Sequence, residues 1–289
     1  MIAKTQQLTI RTAQAADRQQ LASLIHFEPH VHRHLDWRPP LDWIGCDPYL
    51  IMELDGFPVA ALACPPDPPE IAWIRLFAVS SRTTSQRAWD ELWPAARAYL
   101  LEHFQRIQVA AIPLQNWFRA LLDKSDFENT HNVVVLVWEG NEIPPEPAGE
   151  PYTIRPMNFD DIPAVHAIDV AAFEPIWQNS LSGLELAFRQ AALATVAEGP
   201  DGLIGYQIST SSPAGGHLAR LAVYPQYQGK GVGYHLVKDL LNQFTRRGAQ
   251  SVTVNTQFNN KPSLSLYQKA GFKLTGEEYP IYECKKMGQ

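Results

Sequence analysis

Leu221-Ala222-Val223-Tyr224-Pro225-Gln226-Tyr227-Gln228-Gly229-Lys230-Gly231-Val232-Gly233 sets the terms for the rest of the chain. An apolar strand end runs into a proline turn, and three alternating glycines open the stretch that follows. There Leu236, Val237, Leu240, Leu241 and Phe244 recur at three- and four-residue spacing before Gly248, which predicts a helix of about four turns. Bare backbone N–H groups and the positive end of the helix dipole make such a turn a natural holder of a phosphate anion. Two common phosphate loops are excluded. The dinucleotide pattern G-x-G-x-x-G needs a third glycine where Tyr234 stands, and the nucleoside-triphosphate loop needs Ser or Thr after Lys230, where Gly231 stands.

Working outward, His217 to Val223 reads as the strand that feeds this turn. Leu193 to Ala197 and Leu203 to Ser209 flank Glu198-Gly199-Pro200-Asp201-Gly202, the composition of a hairpin loop. Asp160 and Asp161 precede Ile162, Val165, Ile168 and Ala172, an apolar face at helical spacing with acidic residues at its positive end. Downstream, Ser251 to Thr256 alternates as a half-buried strand does. Asn260 and Pro262 then start a short helix that Gly271 ends, and a last strand begins at Phe272.

The pattern occurs twice. Thr9-Ile10-Arg11 and Asp17 match Thr153-Ile154-Arg155 and Asp161, each pair 144 positions apart; Ala78-Val79 match Ala222-Val223 and Asn116 matches Asn260 at the same offset. With one inserted residue, Leu121 to Phe127 falls on Leu266 to Phe272. A period this long denotes a duplicated domain, not a solenoid repeat. Ile143 to Pro151 holds four prolines and reads as an extended linker. The expected layout is therefore residues 1–142 as one domain, 143–151 as linker and 152–289 as the second domain.

The 289 residues suffice for two real cores, and 45% hydrophobic with 19% charged residues rules out a disordered or fibrous chain. Net charge is −6, from 24 Lys and Arg against 30 Asp and Glu, which argues against a nucleic-acid partner. Cys46, Cys64 and Cys284 are scattered and odd in number, so neither a disulfide framework nor a clustered zinc site is expected. The N-terminal residues lack a signal-peptide core, and the longest strongly apolar run, Val133 to Trp138, is too short to span a bilayer. A cytoplasmic protein without a membrane partner is the expectation. His26, His30, His32 and His34, near Glu28 and Asp36, invite a metal reading. The two-residue spacing puts the last three on one side of a strand and no cysteine is near, so no metal is expected there.

The glycine run resembles the acetyl-CoA signature R/Q-x-x-G-x-G/A of the GNAT acyltransferase superfamily, here following an apolar-Ala-Val strand end. Asn260-Lys-Pro-Ser263-Leu-Ser-Leu266-Tyr267-Gln-Lys-Ala-Gly271-Phe272 resembles that family's N-x-x-A-x-x-L-Y-x-K-x-G-F, with Ser263 in place of alanine. The likeness covers residues 151 to 287, with a weaker echo over 8 to 138. The tandem layout is similar to that of mycothiol synthases, and the second half is similar to ribosomal-protein N-terminal alanine acetyltransferases. The resemblance implies an α+β fold of two tandem domains. Each would be a mixed, mostly antiparallel sheet flanked by helices and splayed between its fourth and fifth strands.

The resemblance also implies roles. Acetyl-CoA would lay its pantetheine arm along Leu221, Ala222 and Val223, and its diphosphate on Gln228, Gly229, Lys230, Gly231, Val232, Gly233 and Tyr234. Asn260 and Ser263 of the second signature would join the cofactor site. Tyr267 would stand near the CoA sulfur and protonate the leaving thiolate. His217 occupies the position where several relatives carry a glutamate base, and Glu174 with Trp177 falls where relatives contact the acceptor. The expected reaction is direct acetyl transfer to a primary amine, of a small molecule or of a protein N-terminus; an acyl-CoA sensor without turnover is the other class. In the first half, Gln228, Gly229, Gly231 and Gly233 become Thr84, Ser85, Arg87 and Trp89, while Tyr267 and Gly271 become Leu122 and Asp126. Bulky side chains obstruct a diphosphate and leucine donates no proton, so only the second half is expected to bind CoA.

Overall fold

The computed structural model describes residues 7–140, 152–213, 215–285 and 287. The proline-rich segment 143–151 lies outside the described residues. Two compact units emerge: one contains the chain up to Thr130 and again from Pro280, the other His131–Tyr279.

In the first unit, β1 (Leu8–Thr12) leads into α1 (Arg18–Phe27), followed by β2 (His30–Arg33), β3 (Tyr49–Leu54), β4 (Phe57–Ala63), β5 (Ile71–Trp73) and β6 (Leu76–Val79). Helix α2 (Ser85–His103), β7 (Gln108–Ala111), α3 (Asn116–Leu122) and the start of β8 (Phe127–Trp138) follow. Antiparallel pairing gives the order β1-β3-β4-β6-β2, and β5 lies parallel to β7. Trp89, which stands where the second half has Gly233, is buried against Phe77 and Trp93 in this unit's core. Thr84 caps α2 by accepting the N–H of Arg87 at 3.1 Å, so that helix start is already satisfied by its own side chain. His30, His32 and His34 pack on Trp117, Phe118 and Trp73 respectively.

The second unit continues β8 and adds β9 (Thr153–Pro156), α4 (Ile162–Ala172), α5 (Leu181–Gln190), β10 (Leu193–Gly199), β11 (Gly202–Ser212) and β12 (Gly215–Val223). Helix α6 (Val232–Arg246), β13 (Val252–Gln257), α7 (Lys261–Lys269) and β14 (Lys273–Cys284) complete it. The strand order is β14-β8-β13-β12-β11-β10-β9. Helices α6 and α7 cover one face through Val237, Leu240, Leu241, Phe244 and Tyr267, packed on Leu218, Val252 and Val254. Helix α4 packs on β11 and β12.

The mixed, mostly antiparallel α+β architecture is the one expected. Among the described residues β12 pairs parallel with β13, and that pairing stops after Gly216–Leu218 against Val252–Val254. Beyond Leu218 the two strands part, which is the expected splay. The compact units differ from a division at the linker in two strands. Residues 131–138 pair antiparallel with β13, Trp138 opposite Val252 and Val133 opposite Gln257, while the end of β14 returns to pair with β7. The apolar run Val133 to Trp138 is buried by that pairing.

The duplication is visible as a repeated device. Arg155 holds Asp161 at 2.7 Å and Glu198 at 2.6 Å, and Arg11 holds Asp17 and Glu53 at 2.7 Å. In both copies the aspartate also caps a helical turn through a reciprocal capping box.

Candidate functional site

Where β12 and β13 separate, a cavity of about 1170 Å³ opens. That exceeds the roughly 300–1,000 Å³ of ordinary small-ligand sites and suits a long cofactor with a second substrate. Leu221, Ala222 and Val223 line one side, Gln257, Asn259 and Asn260 the other, and the turn Gln228 to Gly231 with Gly233 and Tyr234 closes one end.

The turn has the backbone that sequence reading asked for. Gly229 and Gly231 have φ of +75° and +87°, a left-handed conformation costing a side-chain-bearing residue about 1–2 kcal/mol. Nothing stands within 4 Å of where a Cβ on Gly229 would be, so its backbone faces open space. No side chain caps α6 at Gly231, which leaves the N–H groups of Val232 and Gly233 at its start for a ligand. Gln228 turns back to donate its side-chain amide to the carbonyl of Val223 at 3.0 Å. Lys230 lies over the ring of Tyr227. Val232 is buried in the core with Leu236, so only its backbone N–H can serve an anion.

The second signature is placed beside the first. Asn260 accepts the N–H of Ser263 at 3.2 Å, capping α7, and donates to Gln257 Oε1 at 3.1 Å; both Asn260 and Ser263 line the cavity. Glu174 and Trp177 line it as well. They sit on the loop between α4 and α5.

The two expected catalytic groups lie behind the lining and not in it. Tyr267 is buried, with its ring beside Phe272 at 5.7 Å. Burial raises its phenol well above the ordinary value, and the charge of Arg220 offsets part of that rise. His217 is partly buried, and its Nδ1 is 2.8 Å from Thr253 Oγ1. Gly216 and Leu218 face α6, so strand alternation turns His217 to the opposite face. Burial lowers its pKa, which makes it a weaker base than free histidine.

One lining residue was not legible in the sequence. His131, from the part of β8 that enters this unit, reaches the cavity with its ring 6.0 Å from that of Trp177, edge to face. It precedes the linker by a dozen positions, so no motif of the second half could include it. Among the described residues no cluster of metal-ligating groups occurs and no helix is long and apolar enough to cross a membrane.

Residues 162–272 match the model of the Acetyltransferase (GNAT) family. Among curated relatives, the spore coat polysaccharide biosynthesis protein SpsD of Bacillus subtilis (strain 168) is 31% identical over 110 residues, 38% of this chain and 35% of that protein. N-alpha-acetyltransferase 30 of Schizosaccharomyces pombe is 33% identical over 57 residues, 20% of this chain and 38% of that one. A ribosomal protein bS18 alanine N-acetyltransferase of Escherichia coli (strain K12) is 23% identical over 120 residues, 42% and 80% of the two chains. The chain spans only 21% to 38% of the length of the first three curated relatives it matches. The fold is shared over nearly the full length with a tandem GNAT protein from the clavulanic acid biosynthesis pathway, at 15% identity, TM-score 0.62 and 99% of each chain. A GCN5-related N-acetyltransferase from Sphaerobacter thermophilus aligns at 17% identity, TM-score 0.60, over 98% and 96%. The glycine turn at the mouth of the splayed sheet and the second signature on α7 both fall within residues 162–272, the stretch that is similar to the Acetyltransferase (GNAT) family, in a chain whose fold is shared with a tandem GNAT protein.

Proposed function

We propose that this protein is an acetyl-CoA-dependent N-acetyltransferase whose second unit carries the reaction and whose acceptor is the primary amine of a small molecule. The observation that carries the reading is the uncapped start of α6, with Gly229 and Gly231 in left-handed backbone, opening on the cavity between β12 and β13. Backbone N–H groups from Gly229 to Gly233 bind the diphosphate, and the backbone of Leu221 to Val223, free of β13, pairs with the pantetheine amides. The amine enters beside Trp177, Glu174 and His131.

In direct transfer the amine nitrogen attacks the thioester carbonyl carbon, the C–S bond breaks, and the amine proton and the thiolate each need a partner. Tyr267 acts as hydrogen-bond donor to the departing sulfur. A phenol raised by burial gives up its proton late, since an ordinary phenol already exceeds a thiol by about 1.5 pKa units. For the amine proton, Glu174 and His131 stand in the lining. His217 lies off the lining, engaged with Thr253, and takes no part in the transfer of that proton.

Acetyl-CoA consumption measured with a panel of small primary amines and a panel of N-terminal peptides tests the reading. Turnover of small amines supports it. Turnover of peptides alone supports protein N-terminal acetylation, the activity for which two of the relatives above are named. Tight acetyl-CoA binding with no turnover on either panel supports a sensor. The first unit, with Trp89 in its core and Thr84 capping α2, is proposed to bind no CoA, so calorimetry should give one site per chain.

A further inference from the structure

Asp169 on α4 is fully buried, and a buried carboxylate without partners is expensive. Three partners converge on it. Tyr206 on β11 donates its hydroxyl to Oδ2 at 2.5 Å, and Arg220 on β12 reaches the same oxygen with Nε at 2.7 Å and Nη2 at 2.6 Å. The backbone N–H of Asn179 donates to Oδ1 at 2.9 Å. Arg220 also donates from Nη2 to the carbonyl of Trp177 at 2.5 Å, and its guanidinium carbon stands 3.7 Å from the ring centroid of Phe173. Phe173, Trp177 and Asn179 all belong to the loop that presents Glu174 to the cavity. Arg220 immediately precedes Leu221, whose backbone lines that cavity.

The duplicated half supplies a control for what the fold itself requires. At the 144-residue offset Asp169 becomes Ile25 and Arg220 becomes Leu76. By strand register Tyr206, which pairs with Ala222, becomes Ala61, which pairs with Ala78. Ile25, Ala61 and Leu76 are buried together in one apolar cluster. The same meeting point of helix and two strands is thus held without any charge. Exchanging a buried ion pair for apolar packing is commonly neutral or stabilising, so stability does not explain why the second half keeps one.

We propose that Arg220, seated on Asp169 and Tyr206, is a positioning residue that holds the loop Phe173 to Asn179 as the acceptor wall beside the thioester strand. The inference rests on the N-acetyltransferase reading for its consequence in turnover, but the tethering of the loop is independent of it. Arg220→Leu alone leaves Asp169 stranded and risks misfolding. The informative variant is the combined Asp169→Ile, Tyr206→Ala, Arg220→Leu, which imports the first half's apolar trio. In the full chain, hydrogen exchange of the amides from Phe173 to Ser180 should accelerate at least ten-fold. Acetyl-CoA affinity should stay within two-fold, and kcat/KM for the acceptor amine should fall at least ten-fold, chiefly through KM. Arg220→Lys, which keeps the charge but cannot hold Asp169 and the Trp177 carbonyl with one planar fork, should fall between. Unchanged loop exchange in a folded triple variant overturns the proposal. So does a loss of acetyl-CoA affinity equal to the loss for the acceptor. If the wild-type chain acetylates no amine, the enzymatic reading fails, and the exchange comparison still decides whether Arg220 holds the loop.

Discussion

Gln228 donates its side-chain amide to the backbone carbonyl of Val223 at 3.0 Å, tying the end of β12 to the start of the glycine turn. One bond thereby sets the distance between the two surfaces assigned to the pantetheine arm and the diphosphate. Gln228→Ala removes it without touching the core. A neutral hydrogen bond contributes about 1 kcal/mol, so acetyl-CoA affinity should fall roughly five-fold by calorimetry, with little change in thermal stability. An unchanged affinity would show that the turn holds its shape unaided.

Tyr267→Phe tests the proton donor. The ring sits in the core beside Phe272, which phenylalanine can fill equally, so folding and acetyl-CoA affinity should be retained. Turnover should drop by about 10²-fold if the hydroxyl donates to the leaving sulfur. Full activity in the variant would take the tyrosine out of the chemistry.

The fate of the amine proton separates three residues. His217 lies off the cavity lining, is engaged with Thr253 and has a lowered pKa, whereas His131 and Glu174 stand in the lining. His217→Ala is expected to keep the wild-type dependence of kcat/KM on pH. His131→Ala should raise KM for the acceptor with acetyl-CoA binding intact. Its effect should be less than additive with Trp177→Ala, because the two rings touch. Loss of the acidic limb in His217→Ala would reinstate that residue as the base.

The first unit should respond to acid. His32 is buried against Phe118 with Nε2 3.0 Å from the carbonyl of Ile74, and burial lowers its pKa to about 4. In the unfolded chain the value returns to about 6.5, so between these values the unfolded state binds the extra proton. Stability from this residue is therefore unchanged above pH 6.5 and is lost as pH falls, by about 1.4 kcal/mol per unit and on the order of 3 kcal/mol by pH 4. Urea midpoints measured from pH 7 to 4 should show this slope, reduced by about one proton in His32→Phe. Parallel slopes in the two proteins would mean that other groups carry the acid sensitivity.

Local chemistry made much of the site readable. Gly229 and Gly231 must be glycines because the backbone there is left-handed, and Asn260 announces α7 because its side chain caps it. The duplication was readable because Arg155 and Asp161, like Arg11 and Asp17, form an ion pair within six residues. Helix α5 went unread although Ser180 caps it by accepting the N–H of Gly183 at 3.0 Å, since that glycine interrupts its apolar pattern. His131 was beyond reach because pairing of β8 with β13 joins residues more than a hundred positions apart. The Asp169, Tyr206 and Arg220 cluster was hidden for the same reason, its members lying on three elements with no shared motif.

The route of β8 makes the two halves inseparable in practice. A gene cut at the proline-rich segment would deliver a fragment whose strand Val252–Gln257 has lost the neighbour it zips to through Val133–Trp138. That bare edge would recruit a foreign strand in place of the missing one, and the product would be clumps in place of a folded half. Any recombination that swaps one half must carry the borrowed strand along with it.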